Sequence, residues 1–462
     1  MPTHVIILAA GEGKRMKSDL PKVAHTLLGR SLVNWVIEST RPLVPATTVV
    51  VVGHGAEHVR SLLPNHIADA HQADQLGTGH AAQIGLDALG AVDPDDTILI
   101  LYGDTPLLTP ELLTDLTDLA DGESARLVST RLDDPSGYGR VVRDERGHVS
   151  AIVEHRDCTQ DQLELDEVNA GIYAVRAGRL IETLERVDKD NAQGEYYLTD
   201  IVGLLVDDGD RLTGVEANSQ EVMGINTQDQ LAAARKELQR RTNQRFMEDG
   251  VVLIDPDRTY IDETVEIGPG ATIYPGTHLE GQTRVGEGSR VGPDVYAVDS
   301  TIGSNAIVWY AVLREAVVGD GCEVGPYASL RPGTVLEKGA KLGTFVETKN
   351  TTMGEGAKAN HLSYLGDAVV GARSNIGAGV ITVNYDGVKK SQTEIGEDAF
   401  IGSDTMLVAP LRVGDRGSTG AGSVITKDVS DDALAIERSD QREIPGYAQR
   451  REARKAAKTA ED

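Results

Sequence analysis

IGPGATIYPGTHLEGQTRVGEGSRV, residues 267–291, places an aliphatic side chain at Ile267, Ile273, Leu279, Val285 and Val291, one every six positions, with glycine or a small residue close behind. The spacing continues through Val318, Val324, Leu330, Leu336 and Leu342, and again over Ile395, Ile401, Leu407, Val413, Thr419 and Ile425 with one polar substitute. Neither a helix nor an ordinary half-buried strand has this period. A period of six sustained over such a length predicts a parallel β-helix. Each unit forms one flat side, its aliphatic residue points into a prism, and the small residue behind it allows the corner. Three units close one coil, so residues 251–430 predict about ten coils stacked at about 4.8 Å.

Breaks in the period mark candidate functional edges. Ile376 to Ile395 exceeds three units by one residue, and Asn384, Tyr385, Asp386 and Gly387 form a turn sequence there, predicting a projecting loop. Val291 to Ile302 and Leu342 to Met353 each fall one short of two units. After about Thr426 the period fades into a tail carrying Arg442, Arg450, Arg451, Arg454, Lys455 and Lys458, read either as solvated or as a grip on a phosphate-bearing ligand. Hexapeptide coils resemble the left-handed β-helix family; the period alone leaves the hand open.

Upstream the pattern is different. Short apolar runs, Val5 to Ala10, Val49 to Val52 and Ile98 to Tyr102, alternate with amphipathic stretches, which predicts a mostly parallel sheet covered by helices, with ligands at the C-terminal strand ends. Between the halves, Thr227 and Gln230 make a capping-box pair, and Leu231, Ala234 and Leu238 recur at helical spacing with no Gly or Pro before Gly250. The expected organisation is therefore a first domain over 1–226, a linker helix over 227–250, a β-helix over 251–437 and a basic tail over 438–462.

Composition narrows the function classes. The chain has 462 residues, too many for one small module, and its 72 acidic against 45 basic side chains give a net charge of -27. Such a surface repels nucleic acid and anionic lipid, so an anionic substrate needs a local cluster of cations or backbone amides. Two cysteines, Cys158 and Cys322, make neither a disulfide framework nor a thiolate metal site and suit a reducing cytoplasm. The apolar run near the start is too short for a membrane span and lacks a basic leader.

The first strand runs into Gly11, Glu12, Gly13, Lys14, Arg15 and Met16, with Pro21 and Lys22 beyond. Met16 breaks the dinucleotide pattern and no G-K-[ST] follows, so neither an NAD fold nor a P-loop is indicated. A glycine-rich turn with Arg15 and Lys22 could still offer amides and cations to a triphosphate; a plain tight turn is the competing reading. Asp104, after the strand ending at Tyr102, is placed to hold a hard cation, unless it caps a helix. For Asn226, just before the linker helix, capping is likewise the competing role.

Ala9, Ala10, Gly11, Gly13, Arg15, Pro21 and Lys22 resemble the L-A-A-G-x-G-x-R-M-x(4)-P-K signature of sugar-1-phosphate nucleotidyltransferases. Further motifs follow in that family's order: Gln72 with Gln75 to His80, Tyr102 to Asp104, Gly137 to Arg140, Glu154, Asn169 with Gly171, and Gly194 to Tyr197. Joined to a hexapeptide half, nearly the whole chain resembles the bifunctional N-acetylglucosamine-1-phosphate uridylyltransferases / glucosamine-1-phosphate N-acetyltransferases. The resemblance implies a Rossmann-like nucleotidyltransferase domain, a linker helix and a left-handed β-helix. It implies UTP and N-acetylglucosamine-1-phosphate held by Leu8, Ala9, Ala10, Gly11, Lys22, Gln72, Gly77, Thr78, Tyr102, Gly103, Asp104, Gly139, Glu154, Asn169 and Asn226. Gln72, Gly77 and Thr78 would contact uracil, while Gly139, Glu154 and Asn169 would take the sugar. Asp104 and Asn226 would share Mg²⁺, and Arg15 and Lys22 would stabilise charge during transfer.

In the second half, His361 lies in Asn360-His361-Leu362-Ser363-Tyr364, where the family has A-x-H-L-[ST]-Y-L-G-D. A neutral imidazole can take a proton from an amine attacking a carbonyl, although a lone solenoid histidine is more often a surface residue. The resemblance implies glucosamine-1-phosphate bound by Arg331, Lys349, Tyr364, Asn375 and Lys390, and acetyl-CoA by Ala378, Asn384, Tyr385, Ser403, Ala421 and Arg438. Glu347 is a candidate to orient His361 or the substrate amine, and an amide near Ala378 a candidate oxyanion donor. Cys322 reads as packing. Homotrimers, cytoplasmic location and no nucleic-acid partner are the associated expectations. Two other readings remain: a single-activity nucleotidyltransferase whose β-helix only trimerises or regulates, and a non-catalytic nucleotide-sensing scaffold. His361, Lys349 and the Asn384–Tyr385 loop separate the first reading from the second; Arg15, Lys22 and Asp104 separate both from the third.

Overall fold

The apolar run beginning at Val5 lies within strand Thr3–Ala9 of the computed structural model, which describes residues 1–459. This strand pairs in parallel with Thr47–Val52 on one side and Thr97–Tyr102 on the other. All three are buried on both faces, which is why they read as unbroken aliphatic runs rather than alternating ones. The full nine-stranded sheet runs 211–216, 123–131, 167–176, 97–102, 3–9, 47–52, 68–71, with hairpin 140–143/149–153 attached to 167–176. Strand Glu167–Arg176 is antiparallel to both neighbours, an exception within the expected parallel order.

Helices cover both faces. Val33 and Val36 of helix Leu32–Thr40 join Leu112, Leu113 and Leu116 of helix Pro110–Thr117 in one core. Ala82 and Leu86 of helix Thr78–Leu89 join Leu180, Ile201 and Leu205 in the other. Two central strands, 3–9 and 97–102, and the edge strand 68–71 thus end on the same side of the sheet, presenting Ala10 to Gly13, Gly103 with Asp104, and Gln72 to Gly77.

Helix Gln228–Glu248 shows half of the expected capping box: Thr227 Oγ1 accepts from the Gln230 amide at 3.2 Å. The returning Gln230 side chain accepts from the Asn226 amide at 2.7 Å. Leu231, Ala234 and Leu238 pack with Met16, Leu27, Leu32 and Leu107 in the first unit, residues 1–242. Beyond that boundary, Asn243 Nδ2 donates to the carbonyls of Pro256 at 2.7 Å and Thr259 at 2.9 Å, and Phe246 enters the core of the second unit.

The second unit is a parallel β-helix. Glu266–Ile267 pairs with Arg284–Val285, and Thr272–Ile273 with Arg290–Val291, so equivalent positions recur every eighteen residues. An eleven-stranded sheet and a seventeen-stranded sheet form its sides, around one file of buried aliphatics from Val251 to Val429. Both short intervals appear as shortened coils, Val291 pairing with Val308 and Leu342 with Ala359.

Two expectations need correction. The projecting loop is larger than one extra residue: Ile376 stacks on Ile401 and Val370 on Ile395, an offset of twenty-five against the eighteen of a regular coil. The surplus is a seven-residue excursion closed by a Tyr385–Lys390 bridge, and measuring from Ile376 to Ile395 compared two different sides of the coil. The regular pattern also extends past Thr426, since Leu434–Ala435 pairs with Ser418–Thr419, and the basic tail contains a helix, Tyr447–Thr459, exposed over 447–458. Among the described residues, no helix is long and apolar enough to cross a membrane.

Candidate active site

Met16 is buried among Leu27, Leu107 and Leu231, and this anchor fixes the glycine-rich turn after the first strand. The cations beside it are thereby aimed. Arg15 donates to Asn226 Oδ1 at 2.8 Å, Lys22 Nζ lies 3.2 Å from the same oxygen, and Lys22 also pairs closely with the Asp104 carboxylate. Four groups scattered over the first domain thus meet at one point. Asn226 does not spend its side chain on a helix cap: Thr227 does that, leaving the Asn226 oxygen to the cations. Asp104 likewise caps no helix, since the next one starts at Pro110 with Thr109 as its cap.

This arrangement fits a shared divalent cation. Lys22 brings one positive charge to both Asp104 and Asn226, so the two oxygens converge where a cation is favoured. One carboxylate and one amide make an incomplete set, and no three His, Cys, Asp or Glu side chains cluster as metal ligands among the described residues. Remaining ligands would come from substrate phosphate and water, the usual pattern for Mg²⁺.

A cavity of about 300 Å³ opens beside this point, lined by Leu8, Ala9, Ala10, Gly11, Lys22, Gln72, Gly77, Thr78, Tyr102 and Asp104. Gln72 is buried, and its Nε2 donates to the Gly77 carbonyl at 3.1 Å. Gly77 has φ +114°, and a Cβ there would stand 2.4 Å from the Tyr196 carbonyl, so this crossing of two loops requires glycine. Gly103 is the expected residue that lines neither this cavity nor the next. Its amide donates to the Leu8 carbonyl at 2.9 Å, so it serves close strand packing.

A second cavity, about 630 Å³, shares Lys22, Thr78, Tyr102 and Asp104 with the first and adds Arg15, Gly139, Glu154, Asn169 and Asn226. Asn169 accepts from the Gly171 amide at 3.0 Å and donates to the Tyr173 hydroxyl at 2.6 Å. Glu154 accepts from Thr199 Oγ1 at 3.2 Å, and burial pushes its carboxyl above the usual range, with the Asp157 charge adding to the effect. Burial raises the Tyr102 phenol as well, with Glu154 contributing, so it stays a neutral hydrogen-bonding group.

In the second unit a cavity of about 400 Å³ gathers His361, Asn375, Ala378, Ser403 and Ala421, with Asn360 and Phe400. The His361 side chain is exposed and makes no hydrogen bond with another described residue. Arg438 reaches this neighbourhood by donating to the Ala421 carbonyl at 3.1 Å. Gly377 and Gly379 spend their amides on Ile401 and His361 carbonyls, whereas the Ala378 amide between them has no acceptor among the described residues.

The other predicted residues form a neighbouring group. Lys390 first, then Arg331, holds the Lys349 ammonium below its usual range, so three cations crowd one patch, as an anion site requires. Glu347 accepts from Arg331 at 2.9 Å, so among the described residues its carboxylate is engaged with Arg331 rather than with His361. Asn384 is buried against the Asp367 carboxylate at 2.5 Å, close to Tyr364 across Gly366. Tyr385 is exposed and turns its hydroxyl onto the Gly387 carbonyl. Cys322 is fully buried and its thiol is pushed up by burial, as packing predicts.

Sequence reasoning missed several supports. Gln75 donates to the Ala10 carbonyl at 2.8 Å, and the Tyr196 backbone ties to both Leu76 and Gly79. Glu195, Val222, Met223 and Gln230 line the larger cavity. The glutamine of Q-L-G-T-G-H was visible; its partner sixty-five residues away was not.

Residues 5–194 match the family described as MobA-like NTP transferase domain. Over the full chain, "Bifunctional protein GlmU" of Streptomyces avermitilis is 48% identical, covering 100% of this chain and 97% of its own. The proteins of that name from Stutzerimonas stutzeri (48% identical, 97% and 99% covered) and Caldanaerobacter subterraneus (44%, 96% and 97%) are similar throughout. Among solved structures, a nucleotidyl transferase from Methanothermobacter covers 52% of this chain and 99% of its own at 21% identity, with a TM-score of 0.37, too low to carry an argument.

Proposed function

The chain belongs to the family of bifunctional GlmU proteins, transferases of UDP-N-acetylglucosamine synthesis, and on that premise we propose how its residues divide the two reactions. Acetyl-CoA acetylates glucosamine-1-phosphate at the β-helix, and the product is joined to UTP in the first unit with release of pyrophosphate. The observation carrying the second step is the convergence of Arg15, Lys22, Asp104 and Asn226 at the junction of two connected cavities.

In that step the smaller cavity takes the nucleoside, with Gln72, Gly77 and Thr78 at uracil, and the larger takes the sugar beside Gly139, Glu154 and Asn169. The sugar phosphate oxygen attacks the α-phosphorus of UTP in line. Arg15 and Lys22 neutralise developing negative charge, while Asp104 and Asn226 would hold Mg²⁺, which supplies further charge neutralisation. Positioning and electrostatics suffice, because phosphoryl-type transfer asks little covalent chemistry of the protein.

In the first step His361 accepts a proton from the substrate ammonium, the freed amine attacks the thioester carbon, and the unspent Ala378 amide receives the oxyanion. Collapse expels CoA as the thiol, so no acyl-enzyme is needed. Arg331, Lys349 and Lys390 take the phosphate, with Tyr364 and Asn375 near the sugar. Acetyl-CoA lies along Ala378, Asn384, Tyr385, Ser403, Ala421 and Arg438, in sites shared between the subunits of a cytoplasmic homotrimer. The working domains are 1–226, 227–250, 251–437 and 438–462.

The test is reciprocal. Asp104→Ala should lower uridylyl transfer by about a thousandfold and leave acetyl transfer unchanged, and His361→Ala should do the reverse. Loss of both activities in both variants would refute two independent sites.

A further inference from the structure

Gln72 Nε2 has two neighbours able to accept its hydrogens. It donates to the Gly77 carbonyl at 3.1 Å and lies 3.1 Å from His80 Nδ1. The carbonyl cannot donate, so it fixes the nitrogen end of the amide inward, and the second N–H then falls to His80. His80 must therefore be the tautomer with Nδ1 unprotonated. Gln72 is 3% exposed and lines the smaller cavity, yet its Oε1 takes no donor from any described residue. Both donors are consumed and one acceptor is left to the ligand.

That asymmetry selects a base. Uracil presents a donor at N3 between two carbonyl acceptors; cytosine presents an acceptor at N3 beside an amino donor. We propose that His80 is a positioning residue that occupies the second Gln72 N–H, so that the amide offers the nucleobase an acceptor alone and discriminates uracil from cytosine. This rests on the placement of uracil at Gln72 proposed above. His80 itself touches neither substrate; helix Thr78–Leu89 carries it in its first turn, tilted against the Tyr196 ring at 6.3 Å between centroids. Without its Nδ1, one hydrogen bond to Gly77 alone holds the amide, so the flipped amide, with its NH2 toward the cavity and the N3 acceptor of cytosine, competes, and the uracil contact loses its fixed geometry.

The experiment compares kcat/KM for UTP and CTP, with N-acetylglucosamine-1-phosphate as co-substrate, in the full-length wild type, His80→Phe and His80→Asn. Asn can place an acceptor oxygen near the position of Nδ1. The UTP-to-CTP ratio should fall about tenfold or more in His80→Phe, chiefly through KM, and return to within about threefold of wild type in His80→Asn. His80→Leu replaces the Phe variant if that one does not fold. An unchanged ratio in the variants lacking the acceptor, or a ratio lost equally in His80→Asn, overturns the inference while wild-type UTP turnover keeps the proposed function standing. A wild type that does not use UTP overturns both.

Discussion

Gly171→Ala tests how closely the sugar cavity depends on a contact that carries no chemistry. Gly171 has φ +76°, and a Cβ there would stand 2.2 Å from Tyr102 Cε2. Two costs add. A non-glycine residue in the left-handed region costs about 1–2 kcal/mol, and overpacking against a confined ring costs about 1–3 kcal/mol. Together they destabilise the first unit by about 2–5 kcal/mol, or roughly 5–20 °C in its unfolding midpoint for a domain of this size. Relief requires the ring to retreat by about 1 Å, and Tyr102 lines both nucleotide-side cavities, so uridylyl transfer should fall by about 10- to 100-fold. The control is Gly203→Ala, in helix Asp200–Asp207 with nothing within 4 Å of the new Cβ, which should stabilise by about 0.5–1 kcal/mol. Calorimetry with separate assays of the two activities reads all of this, with acetyl transfer expected to stay at wild-type level. A Gly171→Ala enzyme with unchanged melting and uridylyl transfer within twofold of wild type would refute the packing argument.

Removing divalent cations with a chelator should abolish uridylyl transfer, restore it on adding Mg²⁺, and leave acetyl transfer untouched; chelator-resistant uridylyl transfer would dismiss the cation from Asp104 and Asn226. Lys390→Ala should let the Lys349 ammonium return toward its usual range and raise KM for glucosamine-1-phosphate about five- to tenfold, measured as CoA thiol release, with little change in kcat. Burial, reinforced by Asp188 and Glu154, pushes Asp200 up to about 6 from 3.8. Its folded form therefore holds the proton more tightly than the unfolded form, so its stabilising contribution is present below pH 3.8 and is lost as pH rises through about 6. Asp200→Asn should accordingly leave the melting temperature unchanged near about pH 3.5 and raise it near about pH 7.5; an equal shift at both would contradict the assignment.

The β-helix was readable because its signal is local and repeated. Each aliphatic residue at the six-residue interval enters the prism whatever happens coils away, so Ile273, Leu279 and Val285 announce their own burial. The linker helix was readable for the same reason, from Thr227, Gln230 and the Leu231–Ala234–Leu238 stripe. Loop size was not: a unit count cannot show which side of a coil Ile395 belongs to, and only its stacking on Val370 does.

Residue types and their order therefore sufficed for the two architectures, the strand-end location of the first site, and a candidate set for each reaction. Tertiary structure decided which candidates share a point in space: Lys22 meets Asp104 and Asn226 across 82 and 204 positions of chain. It also gave Glu347 to Arg331, turned Gly103 to packing, and set which end of the Gln72 amide faces the cavity. Periodicity reports which face of an element is buried, because burial follows from nearby residues. Hydrogen-bond partners drawn from distant segments exist only once the sheet and its loops have packed.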